Sequence, residues 1–360
     1  MKVVCLIENI NSGGAERQLT GLASMLQNKG FTVEVWTYYE GDFYAPILKQ
    51  NNVVYKYFSA ASGKLLRIPV LLKQILEYRP DYVVAYVDTP CIIACILKLL
   101  CPTFRLIVSE RNTTQVLDNR EKIKFSLYRL ADYVVANSYS QTNFIGEHYS
   151  KLRTKTRCIT NFVDTDVFKP LLNRSFDNAQ TRILTVARVA PQKNVYNYIK
   201  AIKTVVDRGF TNIKVNWVGL VNEDDRYYKE CMVAVKELDI EKYFEFHKAT
   251  SNVLDWYYNN DVFCLPSIHE GYPNVLCEAM CCGMPVICGD VCDNALISEI
   301  DNTMLFNPDN YKDIAEKLER FLAQTEEQMK LQSEKNIMIA KRKFSKDAFI
   351  NKYIDIMNID

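Results

Sequence analysis

Four charged side chains stand where the chain turns from a strand into a helix. Glu270 lies in the loop His269-Glu270-Gly271-Tyr272-Pro273, just past the apolar run 262–265. Glu278 follows one turn into a helix predicted over residues 274–282, which Gly283 and Pro285 close. Arg188 and Lys193 lie in the loop 188–194, between a strand predicted at 182–187 and a helix at 195–208. Ligands of open parallel sheets bind at such loops, outside the carboxyl ends of the strands. The amides of a helix start, here near Pro273 and Asn274, suit an anion such as a diphosphate. Arg188 can fork onto two anionic oxygens and Lys193 supplies a point charge. A further loop, Asn11-Ser12-Gly13-Gly14, has the glycines that let backbone approach a ligand. Each feature also has a plain structural reading: an acid ahead of a helix complements the macrodipole, and loop cations are often only solvated.

The spacing and context carry more than the residue types do. Glu270 and Glu278 stand inside H-E-G-Y-P-N-V-L-C-E-A-M-x-x-G-x-P-V-I, which resembles the donor-site signature of glycosyltransferase family 4. Arg188-x4-Lys193, the Gly13-Gly14-Ala15-Glu16-Arg17 loop, the Ser109-Glu110-Arg111-Asn112 stretch, Val134 to Ser138 and the hinge-like Asn161-Phe162-Val163-Asp164 also resemble the family. The likeness is densest over 183–300 and thinnest over 40–80 and 110–130.

The resemblance implies an α/β protein of GT-B architecture: two Rossmann-like domains facing a cleft, with a C-terminal helix crossing back to the first domain. The boundaries it suggests are 1–165 for the acceptor side, 166–343 for the nucleotide-sugar side and 344–360 for the returning helix. It implies a retaining transferase that moves a sugar from a nucleotide sugar, UDP-sugars being favoured, to a glycan or lipid-linked acceptor in surface-polysaccharide synthesis. Glu278 would bind the ribose hydroxyls and Glu270 the transferred sugar. Arg188 and Lys193 would face the charge that grows on the leaving diphosphate. Gly271, Pro273, Asn274, Val275, Lys248, Ala249, Gly13 and Gly14 would line the donor. Glu110, Arg111 and Asn112 fall on the acceptor side, where other members carry a histidine that this chain lacks; its histidines are His148, His247 and His269. The donor-site motif has no Asp-x-Asp between its strands, so no metal and no cofactor are expected, and no nucleic-acid partner.

The elements that must position these residues read as repeated strand–helix units. Strands are predicted at 2–10, 31–38, 53–58, 82–86, 105–109, 132–137 and 157–163, then at 182–187, 213–218, 244–247, 262–265 and 285–288. Helices are predicted between them, and three more follow at 311–323, 326–343 and 344–359. The polar stretch 171–180, LLNRSFDNAQ, reads as a linker.

At 360 residues the chain has room for two domains, and 48% apolar with 24% charged residues argues against disorder. Twelve cysteines are scattered through apolar segments, as buried reduced thiols are. Cys277, Cys281, Cys282, Cys288 and Cys292 cluster without a CxxC pair, so small core side chains are the default over a metal site. No signal peptide or membrane span is evident, and a cytoplasmic location is expected. Net charge is only +1, but residues 1–165 carry 20 Lys and Arg against 14 Asp and Glu, and the rest 24 against 29. A basic first half suits an anionic membrane, with Lys64, Arg67, Lys122, Lys124 and Arg129 as contacts, or it is incidental. The helix at 64–79 either lies on that surface or packs on the sheet. Three alternatives to a transferase remain at this stage: a sugar-nucleotide epimerase of the same superfold, a non-catalytic binding module, and, since the first loop is not GxGxxG, a weakly supported nicotinamide site.

Overall fold

Short β-branched runs at regular intervals form parallel strands, because helical crossovers cover both sheet faces and leave no strand face in water. The structure, a computed structural model, describes residues 1–111, 114, 117–171, 174–176, 179–250 and 252–358. The chain divides into two units, Met1–Phe162 with Lys346–Asp360, and Val163–Ser345.

In the first unit, β1 (Lys2–Leu6), β2 (Thr32–Thr37), β3 (Val54–Tyr57), β4 (Tyr82–Tyr86), β5 (Arg105–Glu110), β6 (Tyr133–Ala136) and β7 (Thr156–Cys158) pair in the order β3-β2-β1-β4-β5-β6-β7. Every pairing is parallel. The period of two splits each strand between two cores. Val3, Cys5, Val33, Val35 and Val84 pack on one face, while Val4, Leu6, Trp36, Val83 and Ala85 pack on the other. The helix Lys346–Asn358 completes the first of these cores with Phe349, Ile350, Tyr353, Ile356 and Met357. Its Tyr353 hydroxyl meets that of Tyr86 at 2.7 Å, and Tyr82 donates to the Met357 carbonyl.

In the second unit, β8 (Thr181–Val186), β9 (Ile213–Gly219), β10 (Phe244–Lys248), β11 (Val262–Leu265), β12 (Val286–Gly289) and β13 (Leu305–Phe306) pair in the order β10-β9-β8-β11-β12-β13, again all parallel. Strand order reverses between β8 and β11 here, and between β1 and β4 in the first unit. These are the topological switch points, where open sheets bind ligands.

Two expectations are corrected. The strand expected at 157–163 ends at Cys158. Beyond it the buried Gln18 amide captures the backbone: its Nε2 donates to the Phe162 carbonyl at 2.8 Å and its Oε1 accepts the Phe162 amide at 3.0 Å. Those groups are satisfied without a ladder. The polar stretch 171–180 is not a free linker, because Arg174 is bonded to the carbonyls of Tyr257 and Asn260.

Candidate functional site

The loops after β8 and β11 face each other across the second unit's switch point, and backbone ties them together. The Ile268 amide donates to the Gln192 carbonyl at 3.0 Å, and Gln192 Nε2 donates to the His269 carbonyl at 3.1 Å. Between them Lys193 Nζ meets Glu270 Oε1 at 2.5 Å, with the lysine side chain 15% exposed and the glutamate 9%. The loop after β8 is fixed from its other side by β9. Trp217 Nε1 donates to the Ala187 carbonyl at 2.9 Å. A Cβ on Gly219 would lie 1.9 Å from that same oxygen, so only glycine lets the two backbones approach this closely. Asn194, at φ 60°, then turns the chain into the helix Val195–Asp207 in a left-handed conformation that asparagine tolerates. Its amide donates to the Pro308 carbonyl at 2.7 Å. Arg188 begins the same loop, exposed, and has no ion pair among the described residues.

After β11 the loop leads through Gly271 and Tyr272 to Pro273, the N-cap of the helix Asn274–Cys281. Pro273 has no side-chain acceptor for the first-turn amides, Asn274 and Val275 included. Glu278 is buried on this helix, and its Oε2 accepts the Tyr257 hydroxyl at 2.9 Å. Of the predicted residues, Lys193 and Glu270 are brought into contact, while Arg188 lies in the same loop as Lys193 and Glu278 on the helix that follows the Glu270 loop. Lys248 and Ala249 lie exposed at the end of β10, where Lys248 pairs with Glu223 at 2.9 Å. The clustered cysteines are core: Cys277, Cys281, Cys282 and Cys288 pack in one apolar cluster, where burial pushes Cys281 up to about 12. Cys292 is exposed in the loop after β12.

The remaining predicted residues belong to the first unit. Gly13 is the N-cap of the helix Gly14–Asn28, at the switch point after β1, and its carbonyl accepts the Tyr44 hydroxyl at 3.3 Å. Glu110 closes β5 but faces inward at 1% exposure. It accepts from Tyr128 at 2.6 Å and from Lys124 at 2.9 Å, so its carboxylate is committed to a buried cluster. Burial pushes the Glu110 carboxyl up, and Lys124 only partly opposes this. Burial likewise works against the Lys124 charge, but Glu110, Glu121 and Asp88 outweigh it and hold the ammonium above its usual value. Arg111 stacks over the Tyr86 ring at 4.7 Å and donates to Asn161. Asn112 lies outside the described residues.

Two of the basic residues expected on a membrane surface are corrected. Lys124 is 3% exposed, held by three carboxylates. Arg67 is buried over the Tyr38 ring, at 4.0 Å, and donates to the carbonyls of Ala61 and Ser62. What the first turn of the helix Lys64–Tyr78 exposes is Lys64 and two leucines, Leu65 at 92% and Leu66 at 58%.

Sequence reasoning missed Tyr257, Gln192, Gly219 and Arg174. The signal at Gly219 was visible, a glycine ending a strand beside the cation loop. Tyr257, read only as part of a short helix, gave none.

Residues 12–167 match the family described as Glycosyltransferase Family 4, and residues 173–337 match Glycosyl transferases group 1. The amylovoran biosynthesis glycosyltransferase AmsD of Erwinia amylovora is 26% identical over 296 residues, 80% of this chain and 81% of its own. An N-acetyl-D-galactosaminyltransferase of Campylobacter jejuni that acts on a PP-undecaprenol-linked glycan is 27% identical over 336 residues, 89% of each chain. Among solved structures, Anabaena Alr3699/HepE in complex with UDP superposes with a TM-score of 0.86 over 99% of both chains at 17% identity. Two family descriptions, one over each parallel sheet, and a full-length structural likeness lead to one assignment: the chain belongs to glycosyltransferase family 4 and has the GT-B fold.

Proposed function

We propose that this glycosyltransferase moves a sugar from a UDP-sugar, with retention of configuration and without a metal, to a glycan or lipid-linked acceptor in surface-polysaccharide synthesis. The observation that carries the reading is the Lys193–Glu270 contact at the switch point of the second sheet, in the loop that leads into the helix bearing Glu278. In the donor complex the diphosphate takes Lys193 and Arg188 as its cations. Glu270 accepts hydroxyls of the transferred sugar, and Glu278 accepts those of the ribose. The bond between the anomeric carbon and the β-phosphate oxygen breaks, and its electron pair stays on the phosphate. Arg188, Lys193 and the amides after Pro273 stabilise that growing charge. Glu270 favours the positive charge on the ring. The acceptor hydroxyl attacks the same face, and its proton passes to the departing phosphate, so no side chain is needed as general base.

The UDP held by HepE supports the uridine donor, and the acceptor in the Campylobacter enzyme's name supports a lipid-linked glycan. The test is UDP release from a panel of UDP-sugars, with and without acceptor and with EDTA, and the anomeric configuration of the product by NMR. Acceptor-stimulated release that survives EDTA and gives a retained product is expected. An inverted product removes the retaining mechanism, and activity lost to EDTA and restored by a divalent ion removes metal independence.

Among the described residues no helix is long and apolar enough to cross a membrane. Peripheral contact would use Lys64 with Leu65 and Leu66, a basic residue beside two apolar ones. Flotation with anionic liposomes tests it, and Leu65→Asp is expected to abolish the binding.

A further inference from the structure

We infer that Tyr257 and Arg174 are positioning residues that set the Glu278 carboxylate for the ribose before any donor arrives. The inference rests on the reading of Glu278 as the ribose ligand. Tyr257 lies in the helix Val253–Tyr258, fully buried, and its hydroxyl donates to Glu278 Oε2 at 2.9 Å. The ring has little freedom, since it packs against Phe168 and Phe263 with centroids 5.9 and 6.1 Å away. A buried tyrosine finds a partner for its hydroxyl; here the shorter contact is to the family's donor acid, with the Val275 carbonyl farther off at 3.3 Å, so Tyr257 orients a carboxylate that a ligand must find in one orientation.

Arg174 fixes the two helices that carry this contact. Its Nη1 donates to the Asn260 carbonyl at 2.6 Å, and its Nη2 to the Tyr257 carbonyl at 2.7 Å and the Cys282 carbonyl at 3.3 Å. Tyr257 lies in the last turn of the helix Val253–Tyr258, Asn260 follows its C-cap Asn259, and Cys282 is the C-cap of the helix Asn274–Cys281 that bears Glu278. Helix C-termini leave carbonyls without partners and have negative dipole ends, so a rigid guanidinium fork joins them better than a lysine would. One arginine therefore sets the spacing of the helices, and one hydroxyl uses that spacing to hold Glu278. A site supported in this way loses less freedom on binding.

The experiment compares UDP with 2′-deoxy-UDP by calorimetry on the wild type, Tyr257→Phe and Arg174→Lys. The wild type is expected to prefer the ribose form by about tenfold or more, the usual size of a hydrogen bond to a charged group. Tyr257→Phe should narrow that preference by roughly three- to tenfold, and Arg174→Lys should narrow it less. A loss of packing alone would weaken both nucleotides together and leave their ratio unchanged. Should the wild type show no preference, Glu278 is not the ribose ligand and the inference falls with that reading. Should the wild type discriminate and Tyr257→Phe discriminate equally, the ribose reading stands and the positioning role is overturned. A cycle of Tyr257→Phe and Glu278→Ala in urea unfolding needs no ligand. Coupling of about fivefold or more in the folding constant is expected, and additive effects would also overturn the proposal.

Discussion

Each unit carries a Lys–Glu contact at the carboxyl end of a parallel strand, and the two are built for opposite purposes. At the end of β5, Lys124 and Glu110 are sealed at 3% and 1% exposure, and Lys124 meets Asp88 and Glu121 as well. Lys124 sits on the helix Asn119–Leu127, so its backbone cannot yield. At the end of β11, Lys193 comes from the turn Pro191–Lys193, and Glu270 from a loop. Here the lysine is 15% exposed and the glutamate 9%, and Arg188, which begins the lysine's loop, is exposed. The first arrangement is a finished structure in which every charge is spoken for. The second leaves cations that an anionic ligand can recruit without breaking a helix. Residue type and position at a strand end are shared; what separates site from scaffold is burial and the element holding the lysine.

The largest effects should separate the pairs by stability. Lys124→Ala strands Glu110 in the core, and removing one partner of a buried pair costs about 3–5 kcal/mol. Urea unfolding should show that loss for Lys124→Ala and a smaller one for Lys193→Ala, whose side chain is 15% exposed against 3% for Lys124. Equal losses would erase the distinction.

Activity should reverse the ranking. Lys193→Ala and Arg188→Ala each face charge that grows in the transition state, and turnover is expected to fall about a hundredfold, roughly 2.7 kcal/mol, with the fold intact. Steady-state kinetics within about threefold of wild type for both would take them off the diphosphate.

Within the site, the acids should differ from each other. Glu278→Gln is expected to weaken UDP binding by about 1.5–3 kcal/mol, since the ribose is held in ground and transition states alike. Glu270→Gln should spare UDP affinity and lower turnover, the mark of a contact that strengthens in the transition state. Calorimetry with UDP decides, and the reverse pattern would turn the ligand end for end.

The sequence made the site legible where chemistry sits next to a strand end. Arg188 and Lys193 lie in the loop after β8 and Glu270 in the loop after β11, and the switch point then brings those two loops together. It was misleading where the partner is distant in sequence. Glu110 looked like a loop acid because Lys124 and Tyr128 approach it from a separate helix and turn. The strand after Thr156 looked longer because Gln18, far back in the chain, takes over its backbone bonds. Arg174 looked like a linker charge because the carbonyls it binds lie some 80 to 110 residues further on. Most predicted strands lie within a few residues of the observed ones, since their period is local, but the two-residue β13 (Leu305–Phe306) was not predicted.

The smallest predicted effect sharpens the comparison from the buried side. Burial holds the Glu110 carboxyl above its ordinary 4.5, because one ammonium and one hydroxyl do not repay its lost hydration. Lys124 responds the other way because three carboxylates surround it. A carboxyl whose folded value is raised contributes most below its unfolded value, and that contribution is lost as pH rises through the folded value. Ordinary paired carboxylates behave in the opposite sense. Glu110→Gln has no proton to lose, and other groups cancel in a difference between the two proteins. The stability of the wild type minus that of Glu110→Gln should therefore fall as pH rises above the carboxyl's ordinary 4.5. Urea titrations at several pH values read it directly. A difference that grows with pH would mean that Lys124 outweighs burial. The first unit's pair would then hold its carboxylate more strongly than burial opposes it.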